Sequence, residues 1–295
     1  MPSGKRARQQ RREAVASGRT PPPVRSKGAG GPRARQASPR VLGLVGGVVL
    51  VAVIAIVLTV VLGSGGGGGG GGSNTVTKSD LNGLPAIGSA TDPTALDGAV
   101  DANNLFKGIP QKGLVLGKLS APVEMQMFID VQCPVCQDYE INSLPTIVQK
   151  YIRTGKVQLH LQPWAFLGGA GSQSFSGRLG LIGASFQNRG YEYAKVLYDN
   201  QGTENTGWLN GQEMANIAAS VNGLNLSRWQ AATNSSDAKS IASAVDKVAA
   251  QKKVSGTPTI FIGRAGGPLH DVAQPGFAPT LEQTENAINA ALANS

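Results

Sequence analysis

Two cysteines separated by two residues constrain the fold of this chain more than any other feature of its sequence. Cys133 and Cys136 are its only cysteines, and they lie in the stretch CPVC directly after the segment VEMQMFIDVQ. Apolar residues at alternate positions from Val123 to Ile129 predict a strand in a sheet. Pro134, between the cysteines, is favoured in the first turn of a helix. The sequence therefore predicts a strand that leads into the cysteine pair and a helix that begins there.

Four uses of such a pair compete. A structural disulfide would close a short local loop and add only about 2 kcal/mol to a domain with its own core. Zinc sites use about four ligands, and the chain adds only His160 and His270, on different predicted elements. The third use is a pair of unreactive buried thiols. The fourth is a redox dithiol, because a helix N-terminus stabilises a thiolate and a second cysteine one turn later can resolve a mixed disulfide.

The strand, the proline and the helix around the pair favour the redox dithiol over the other three uses. This interpretation predicts catalysis by the cysteines themselves, with no metal and no cofactor. It places the two reactive sulfur atoms at the N-terminus of a helix, where unpaired backbone N–H groups and the helix dipole favour negative charge.

The basic charge of the chain is concentrated at its N-terminus. The net charge is +9, from 27 Lys and Arg against 18 Asp and Glu, and residues 1–40 hold 11 of the basic residues and one of the acidic residues. The remainder, with 16 basic and 17 acidic residues, is close to neutral. Because the tail is rich in Pro, Ser and Gly and cannot bury a core, we predict a disordered cytoplasmic tail over 1–40 and no nucleic-acid partner.

An uncharged apolar run of 22 residues follows at 41–62. As a helix it would span about 33 Å, at about 1.5 Å per residue, which matches the hydrocarbon core of a bilayer. The alternative is a cleaved signal peptide, whose apolar region is usually about 7–15 residues long. The basic flank predicts a single transmembrane helix with a cytoplasmic N-terminus, a lipid bilayer as partner, and a catalytic domain outside the cell membrane.

The rest of the chain divides into a linker and a folded domain. Eight consecutive glycines at 65–72 lie in a segment rich in Gly, Pro, Asp and Asn, and we predict a flexible linker over 63–104. Residues 105–295 are predicted to form one α/β domain. Its predicted elements, in chain order, are a strand from Val123, a helix at 136–153 bent by Pro145, a strand at 157–166, a helical block at about 172–253, a strand at 257–263, a further strand, and a last helix at 280–294.

Three further stretches accompany DVQCPVC. They are GIPQKGLVLGKLSAPV before the first long strand, YDNQGTENTGWL within the helical block, and VSGTPTIFIG before the last helix. With them, residues 105–292 resemble the membrane-anchored bacterial type of DsbA-like thiol:disulfide oxidoreductase. The resemblance implies a thioredoxin fold with an inserted helical lobe.

The resemblance also implies roles for individual residues. Cys133 is expected to be the exposed nucleophile and Cys136 the buried resolving thiol. Thr257 and Pro258 are expected to bind the substrate beside them, with a cis bond between the two residues. Such a bond is readily formed only before proline.

Two positions depart from the family pattern. Family members commonly carry an acidic residue six positions before the first cysteine, where it helps move protons for the buried thiol, and this chain has Met127 there. The dipeptide between the cysteines is Pro134 and Val135, whereas strongly oxidising members often have histidine at the second position. Val135 offers the thiolate neither charge nor a hydrogen bond.

The predicted function is disulfide donation to cysteine-containing proteins outside the cytoplasm, with re-oxidation by the quinone-linked membrane partner that the resemblance implies. A reductase or isomerase using the same pair is the first alternative. A tethered peptide-binding or chaperone module with a vestigial dithiol is the second, and activity that survived Cys133→Ser would support it.

Overall fold

The computed structural model describes residues 75–273 and 277–293. The predicted tail at 1–40, the predicted span at 41–62 and the glycine run lie outside the described residues. Within the described residues, no helix combines the length and the apolar character needed to cross a bilayer.

A mixed sheet forms the centre of the domain, as predicted for the α/β class. Its strand order is β1–β2–β4–β3–β5–β6. The strands are β1 (Gln111–Lys112), β2 (Val115–Leu116), β3 (Val123–Ile129), β4 (Val157–Pro163), β5 (Thr259–Arg264) and β6 (His270–Asp271). β3 pairs in parallel with β4 and antiparallel with β5. Every residue of β3 and β4 is buried, which is typical of central strands with both faces covered.

Helices surround this sheet, and most of them lie between β4 and β5. They are α1 (Ala99–Phe106), α2 (Pro134–Asn142), α3 (Leu144–Ile147), α4 (Gln173–Ser185), α5 (Gly190–Asp199), α6 (Gly211–Ala219), α7 (Leu226–Thr233), α8 (Ser236–Gln251) and α9 (Leu281–Ala293). A short 3-10 helix at Ser79–Leu81 and a π-helical turn at Val148–Ile152 complete the set. The fold is a thioredoxin-like α/β fold with a helical insertion, α4 to α8, at the predicted place.

The predicted bend at Pro145 is confirmed. The helix that follows the cysteines is divided into α2, α3 and the π-helical turn, with the break at Ser143. Proline has no N–H to donate to the preceding turn and its ring crowds the carbonyl there, so a continuous α-helix cannot pass through this position undisturbed.

Glycines allow the helices of the insertion to approach one another closely. A Cβ atom on Gly183 of α4 would lie 2.4 Å from the hydroxyl oxygen of Thr233 at the end of α7. The neighbouring Gly180 carbonyl accepts a 2.8 Å hydrogen bond from the indole nitrogen of Trp229, which is fully buried. The core of the helical lobe therefore depends on small residues in α4.

The prediction of a flexible linker up to residue 104 is wrong from residue 75 onward. Residues 75–98, which we term the N-terminal strap, lie along the helical lobe. Gly88 donates its N–H to the Leu224 carbonyl at 2.8 Å and accepts from the Gly223 N–H at 2.9 Å. Val76 is 1% exposed, and α1 follows with Phe106 also buried. The polar composition of the strap concealed this packing, because its order comes from backbone hydrogen bonds to distant residues rather than from a regular apolar pattern.

Candidate active site

The two cysteines lie where the chain passes from β3 into α2. Cys133 is the N-cap residue of α2, Pro134 is its first residue, and Cys136 follows within the first turn. Cys133 retains 6% of its surface in contact with solvent, whereas Cys136 has none. Both are free thiols. Cys133 is therefore mostly buried rather than exposed as expected, and it is the one cysteine of the pair that keeps any contact with solvent.

The segment before β5 lies directly beside the pair. In the antiparallel register, Thr259 of β5 is opposite Phe128 near the end of β3. This register brings the Thr257 carbonyl within 3.3 Å of the Cys133 sulfur, which donates a hydrogen bond to it when the thiol is protonated. The bond between Thr257 and Pro258 is cis, as predicted. Residues separated by 124 positions in the sequence thus form one site.

Asp130 fixes the loop between β3 and α2. Its side chain is buried, with 1% exposure. One carboxylate oxygen accepts hydrogen bonds from the Gln132 N–H at 2.9 Å and the Ser174 hydroxyl at 2.8 Å. The other accepts from the Leu167 N–H at 2.8 Å. Asp130 therefore ties the cysteine loop to the helical lobe and to the loop after β4.

Gln201 is a second residue that holds the cysteine loop. Its side-chain nitrogen donates to the Val131 carbonyl at 2.9 Å and to the Cys133 carbonyl at 3.5 Å. It belongs to the stretch YDNQG, just after α5, which the sequence analysis singled out only through a family resemblance. No local pattern predicts this contact, because it joins segments about 70 residues apart.

Apolar side chains are exposed at the same end of the sheet. Val135, between the cysteines, is 46% exposed, and Phe166 in the loop after β4 is 43% exposed. Phe166 packs against Trp164 with 5.2 Å between ring centroids. The backbone of Trp164 donates to the Ile129 carbonyl at 2.7 Å, which places this aromatic pair at the end of β3. The site is thus bordered by an apolar surface.

Comparison with known proteins identifies the family. A family model described as Thioredoxin matches residues 110–267, which is more than half of the chain and includes both cysteines and the Thr257–Pro258 segment. The chain belongs to the thioredoxin family.

Relatives of this thioredoxin-family protein include two curated proteins named "Probable disulfide bond formation protein D". The one from Bacillus cereus is 26% identical over 179 residues, covering 57% of this chain and 78% of the relative. The one from Bacillus anthracis is 25% identical over 171 residues, covering 57% and 77%.

Solved structures show the same fold. Oxidised BdbD from Bacillus subtilis superposes with a TM-score of 0.52 at 17% identity, covering 61% of this chain and 93% of that one. The alpha-DsbA1 protein of Wolbachia pipientis gives a TM-score of 0.50 at 18% identity, covering 65% and 96%. This thioredoxin-family protein is thus similar to proteins named for disulfide bond formation and to DsbA-like structures.

The pKa values of the two cysteines in this thioredoxin-family protein suit thiol–disulfide exchange. A hydrogen bond from the Cys136 thiol is the main cause that lowers the pKa of Cys133 to about 6, against the opposing effect of partial burial. Hydrogen bonds from the backbone N–H groups of Val135 and Cys136, at the start of α2, lower this pKa further. Cys133 is thus a thiolate at neutral pH, and the thiolate is the nucleophile in disulfide exchange.

Cys136 has the opposite character. Complete burial raises its pKa well above the ordinary range, and the charge of the neighbouring Cys133 thiolate raises it further. In the reduced protein, Cys136 therefore keeps its proton while Cys133 has lost its own. The two thiols differ in access and in charge, as an attacking and a resolving cysteine should.

The two histidines are not part of the cysteine site. His160 lies on β4, where its Nε2 is 3.0 Å from the side-chain oxygen of Gln158, and burial lowers its pKa to about 4. His270 lies on the short strand β6. Among the described residues, no group of three or more His, Cys, Asp or Glu side chains is arranged to hold a metal ion.

The low pKa of Cys133 predicts how the reduction potential varies with pH. Below pH 6 both thiols are protonated, so each two-electron reduction consumes two protons and the potential should fall by about 59 mV per pH unit. Above pH 6 only Cys136 takes up a proton, and the slope should decrease to about 30 mV per pH unit. Equilibration against glutathione buffers from pH 5 to 8, corrected for the protons of glutathione itself, measures this slope. A single slope of 59 mV up to pH 8 would contradict a Cys133 thiolate at neutral pH.

Proposed function

We propose that this protein donates disulfides to cysteine-containing proteins outside the cytoplasm through Cys133 and Cys136. The single observation that supports this most is the stabilised thiolate of Cys133 at the N-terminus of α2. A dithiol oxidises other proteins more strongly when its reduced form is stabilised. The curated relatives are named for disulfide bond formation, which points in the same direction.

The reaction begins with the pair oxidised. A substrate thiolate attacks the Cys133 sulfur, a mixed disulfide forms, and the bond between Cys133 and Cys136 breaks with Cys136 as the leaving thiolate. The second thiolate of the substrate then attacks the substrate sulfur of the mixed disulfide, and Cys133 leaves as a thiolate. The substrate loses two electrons and gains a disulfide, while the enzyme pair gains the two electrons.

Thr257 and Pro258 are proposed to position the substrate. The Thr257 carbonyl is already 3.3 Å from the Cys133 sulfur, so an extended peptide lying along this segment would bring its cysteine to the reactive atom. Strand addition of this kind is a common mode of peptide recognition. Val135 contributes an exposed apolar surface between the cysteines rather than charge, and Pro134 begins the helix that stabilises the thiolate.

The location is part of the same proposal. Residues 41–62 are proposed to anchor the protein in the cell membrane as a single span, with residues 1–40 in the cytoplasm and the glycine-rich segment as a tether. The enzyme domain would then lie on the outer side of the membrane, where newly exported thiols emerge. A quinone-linked membrane protein is the proposed partner that re-oxidises the pair.

One observation keeps a reductase or isomerase as the second candidate. The Cys133 pKa of about 6 lies between the value of about 3.5 found in the strongest oxidant of this fold and the value of about 7 found in thioredoxin. The same residues would then act in the reverse direction, with the pair kept reduced.

Thiol labelling of intact cells tests location and direction together. A membrane-impermeant maleimide should leave the wild-type protein unlabelled, because the pair is oxidised, and should label it after treatment with an impermeant phosphine reductant. The variant with both cysteines replaced by serine gives the background. Labelling without reductant would indicate a reduced pair and favour the second candidate. Absence of labelling after reductant would contradict the external location.

A further inference from the structure

Five exposed basic side chains lie at the end of the domain opposite the cysteines. β3 begins at Val123 and ends at Ile129, just before the cysteine loop, so the segments around Val123 form the far end of the sheet. Five basic residues in these segments form what we term the basic surface, namely Lys107, Lys118, Arg153, Lys156 and Arg264. All five are exposed.

Contacts in and beside the sheet bring together three of the segments that carry these residues. Arg264 of β5 is opposite Val123 in the register of the sheet, and Val123 donates its N–H to the Lys156 carbonyl at 3.2 Å. Gly155 lies against the side chain of Lys118, since a Cβ atom on Gly155 would be 3.2 Å from the Lys118 Cδ atom. The loops before β3 and β4 and the end of β5 are therefore neighbours.

Arg153 joins the C-terminal end of α1 to the same surface. Its guanidinium donates to the Lys107 carbonyl at 2.9 Å and to the Leu105 carbonyl at 2.7 Å. Both acceptors are uncharged, so the positive charge of Arg153 is not neutralised by them. The five cations therefore belong to one connected surface.

Ion pairs do not cancel the charge of the basic surface. The ion pairs that form among the described residues use Lys150, Arg178 and Lys195 instead. Glu124, the residue after Val123 on β3, is 3% exposed, and burial raises its pKa. Its carboxyl is therefore not presented on the outside of the domain beside the five cations.

Charge is thus distributed unevenly over the domain. Residues 41–295 contain 16 basic and 17 acidic residues. Without the five residues of the basic surface, 11 basic and 17 acidic residues remain, which is a net charge of −6. The domain is nearly neutral as a whole but positive at one end, and such a distribution favours one orientation at a charged interface.

The loop that carries Lys118 also exposes an apolar side chain. Leu119 is 49% exposed. Gln158 of β4 holds this loop, because its side-chain nitrogen donates to the Leu119 carbonyl at 3.3 Å and to the Ala121 carbonyl at 3.4 Å. An apolar side chain next to basic ones suits the surface of a bilayer, where cations meet anionic headgroups and apolar groups enter the acyl boundary.

We infer that the basic surface docks the domain on the anionic phospholipid headgroups of the membrane in which the chain is proposed to be anchored. The inference rests on that proposed location and adds an orientation to it. With the basic surface on the lipid, the cysteines at the other end of β3 face away from the bilayer, towards exported chains.

The proposed tether permits this docking. Residues 63–74 can extend to about 40 Å, at about 3.3 Å per residue, whereas the seven residues of β3 span about 23 Å. A tether also keeps the domain at a high effective concentration near the bilayer, so weak contacts suffice. Because such contacts are screened by salt and reversible, the domain can leave the surface and turn its cysteines towards a membrane partner.

Lysine footprinting of the full chain in lipid nanodiscs tests the proposal. One set of discs contains phosphatidylcholine alone, and the other contains equal parts of phosphatidylcholine and phosphatidylglycerol. A neutral acylating reagent modifies exposed lysines, and mass spectrometry gives the rate at each one. Lys107, Lys118 and Lys156 should react at least about fivefold more slowly in the anionic discs, which is the effect of one basic residue at an anionic surface. Salt at about 0.5 M should remove this protection.

Two lysines of α8 provide the internal control. Lys239 and Lys247 are exposed and lie outside the basic surface, so their rates should be equal in the two kinds of disc. A chain that enters both discs and shows equal rates at Lys107, or equal protection of the α8 lysines, would overturn the docking. A chain that enters neither disc would contradict the proposed anchor and the docking with it.

Charge reversal tests whether the basic surface itself makes the contact. Lys118→Glu combined with Lys156→Glu should weaken docking about 25-fold or more, at about fivefold for each lost lysine, and should remove the protection of Lys107. Lys239→Glu combined with Lys247→Glu is the matched control and should keep it. Protection of Lys107 that survived the first pair of changes would overturn the proposal.

Disulfide transfer to a soluble dithiol peptide separates this inference from the proposed function. Both double variants should transfer disulfides at the wild-type rate, because the basic surface lies at the end of β3 away from the cysteines. A wild-type protein that transferred no disulfide would contradict the proposed donor function, while the docking is decided by the lysine rates alone.

Discussion

Cys133→Ser should reduce disulfide transfer to the uncatalysed rate, whereas Cys136→Ser should leave Cys133 joined to substrates in mixed disulfides. The difference follows from the geometry of the pair. Of the two, only Cys133 keeps any solvent exposure and only its pKa is lowered, so it is the cysteine proposed to form the bond to the substrate. Cys136 is fully buried and supplies the thiol that can release Cys133 again.

Non-reducing gels of acid-quenched cells, followed by mass spectrometry, measure these adducts. The protein with both cysteines replaced by serine is the control for adventitious binding. Equal amounts of adduct in the two single variants would contradict the assignment of nucleophile and resolving thiol. Transfer that survived Cys133→Ser would support a peptide-binding module instead.

Asp130→Ala should destabilise the protein by about 3–5 kcal/mol. The change leaves three donors without their acceptor, namely the N–H groups of Gln132 and Leu167 and the hydroxyl of Ser174. Each buried donor that loses its partner costs about 1–3 kcal/mol. Denaturant unfolding of the reduced protein at pH 7 measures the loss, and the exchange rate should fall with it because the cysteine loop is no longer held.

Two further variants serve as controls for the expected loss of stability. Ser174→Ala removes one of the three donors and should cost about 1 kcal/mol. Asp138→Ala, on the exposed face of α2, removes only a surface hydrogen bond to Asn142 and should change the free energy of unfolding by less than about 0.5 kcal/mol. An Asp130→Ala protein as stable as Asp138→Ala would show that the loop is held by other contacts.

The strand, the cysteine pair and the helix could be predicted because each signal is local. Alternation in β3, the proline at the start of α2 and the two thiols lie within 14 residues of one another. The last helix, predicted from residue 280, is also marked locally, because Thr280 and Gln283 form a capping box with one hydrogen bond in each direction. The cis bond at Pro258 was an expectation from resemblance, and the structure confirms it.

The rest of the site depends on contacts between distant segments. No local pattern shows which donors the carboxylate of Asp130 binds, because only the folded chain brings Leu167 and Ser174 to it. Glu140 is one of two acidic residues on the predicted helix after the cysteines, and only the folded chain shows that it is buried. Met127, at the position where relatives commonly carry an acid, is fully buried.

The N-terminal strap determines which part of the enzyme resists a force applied to the N-terminal segment of the chain. The Val76 carbonyl accepts hydrogen bonds from the side chains of Gln230, at 3.1 Å, and Asn234, at 2.8 Å, at the end of α7. A pull on the chain before residue 75 is therefore resisted first by the helical lobe. The junction of β3 and α2 lies further along the chain, behind the strap and α1. If the chain before residue 75 tethers the enzyme, as proposed, tension on that tether reaches the helical lobe before it reaches the cysteine loop.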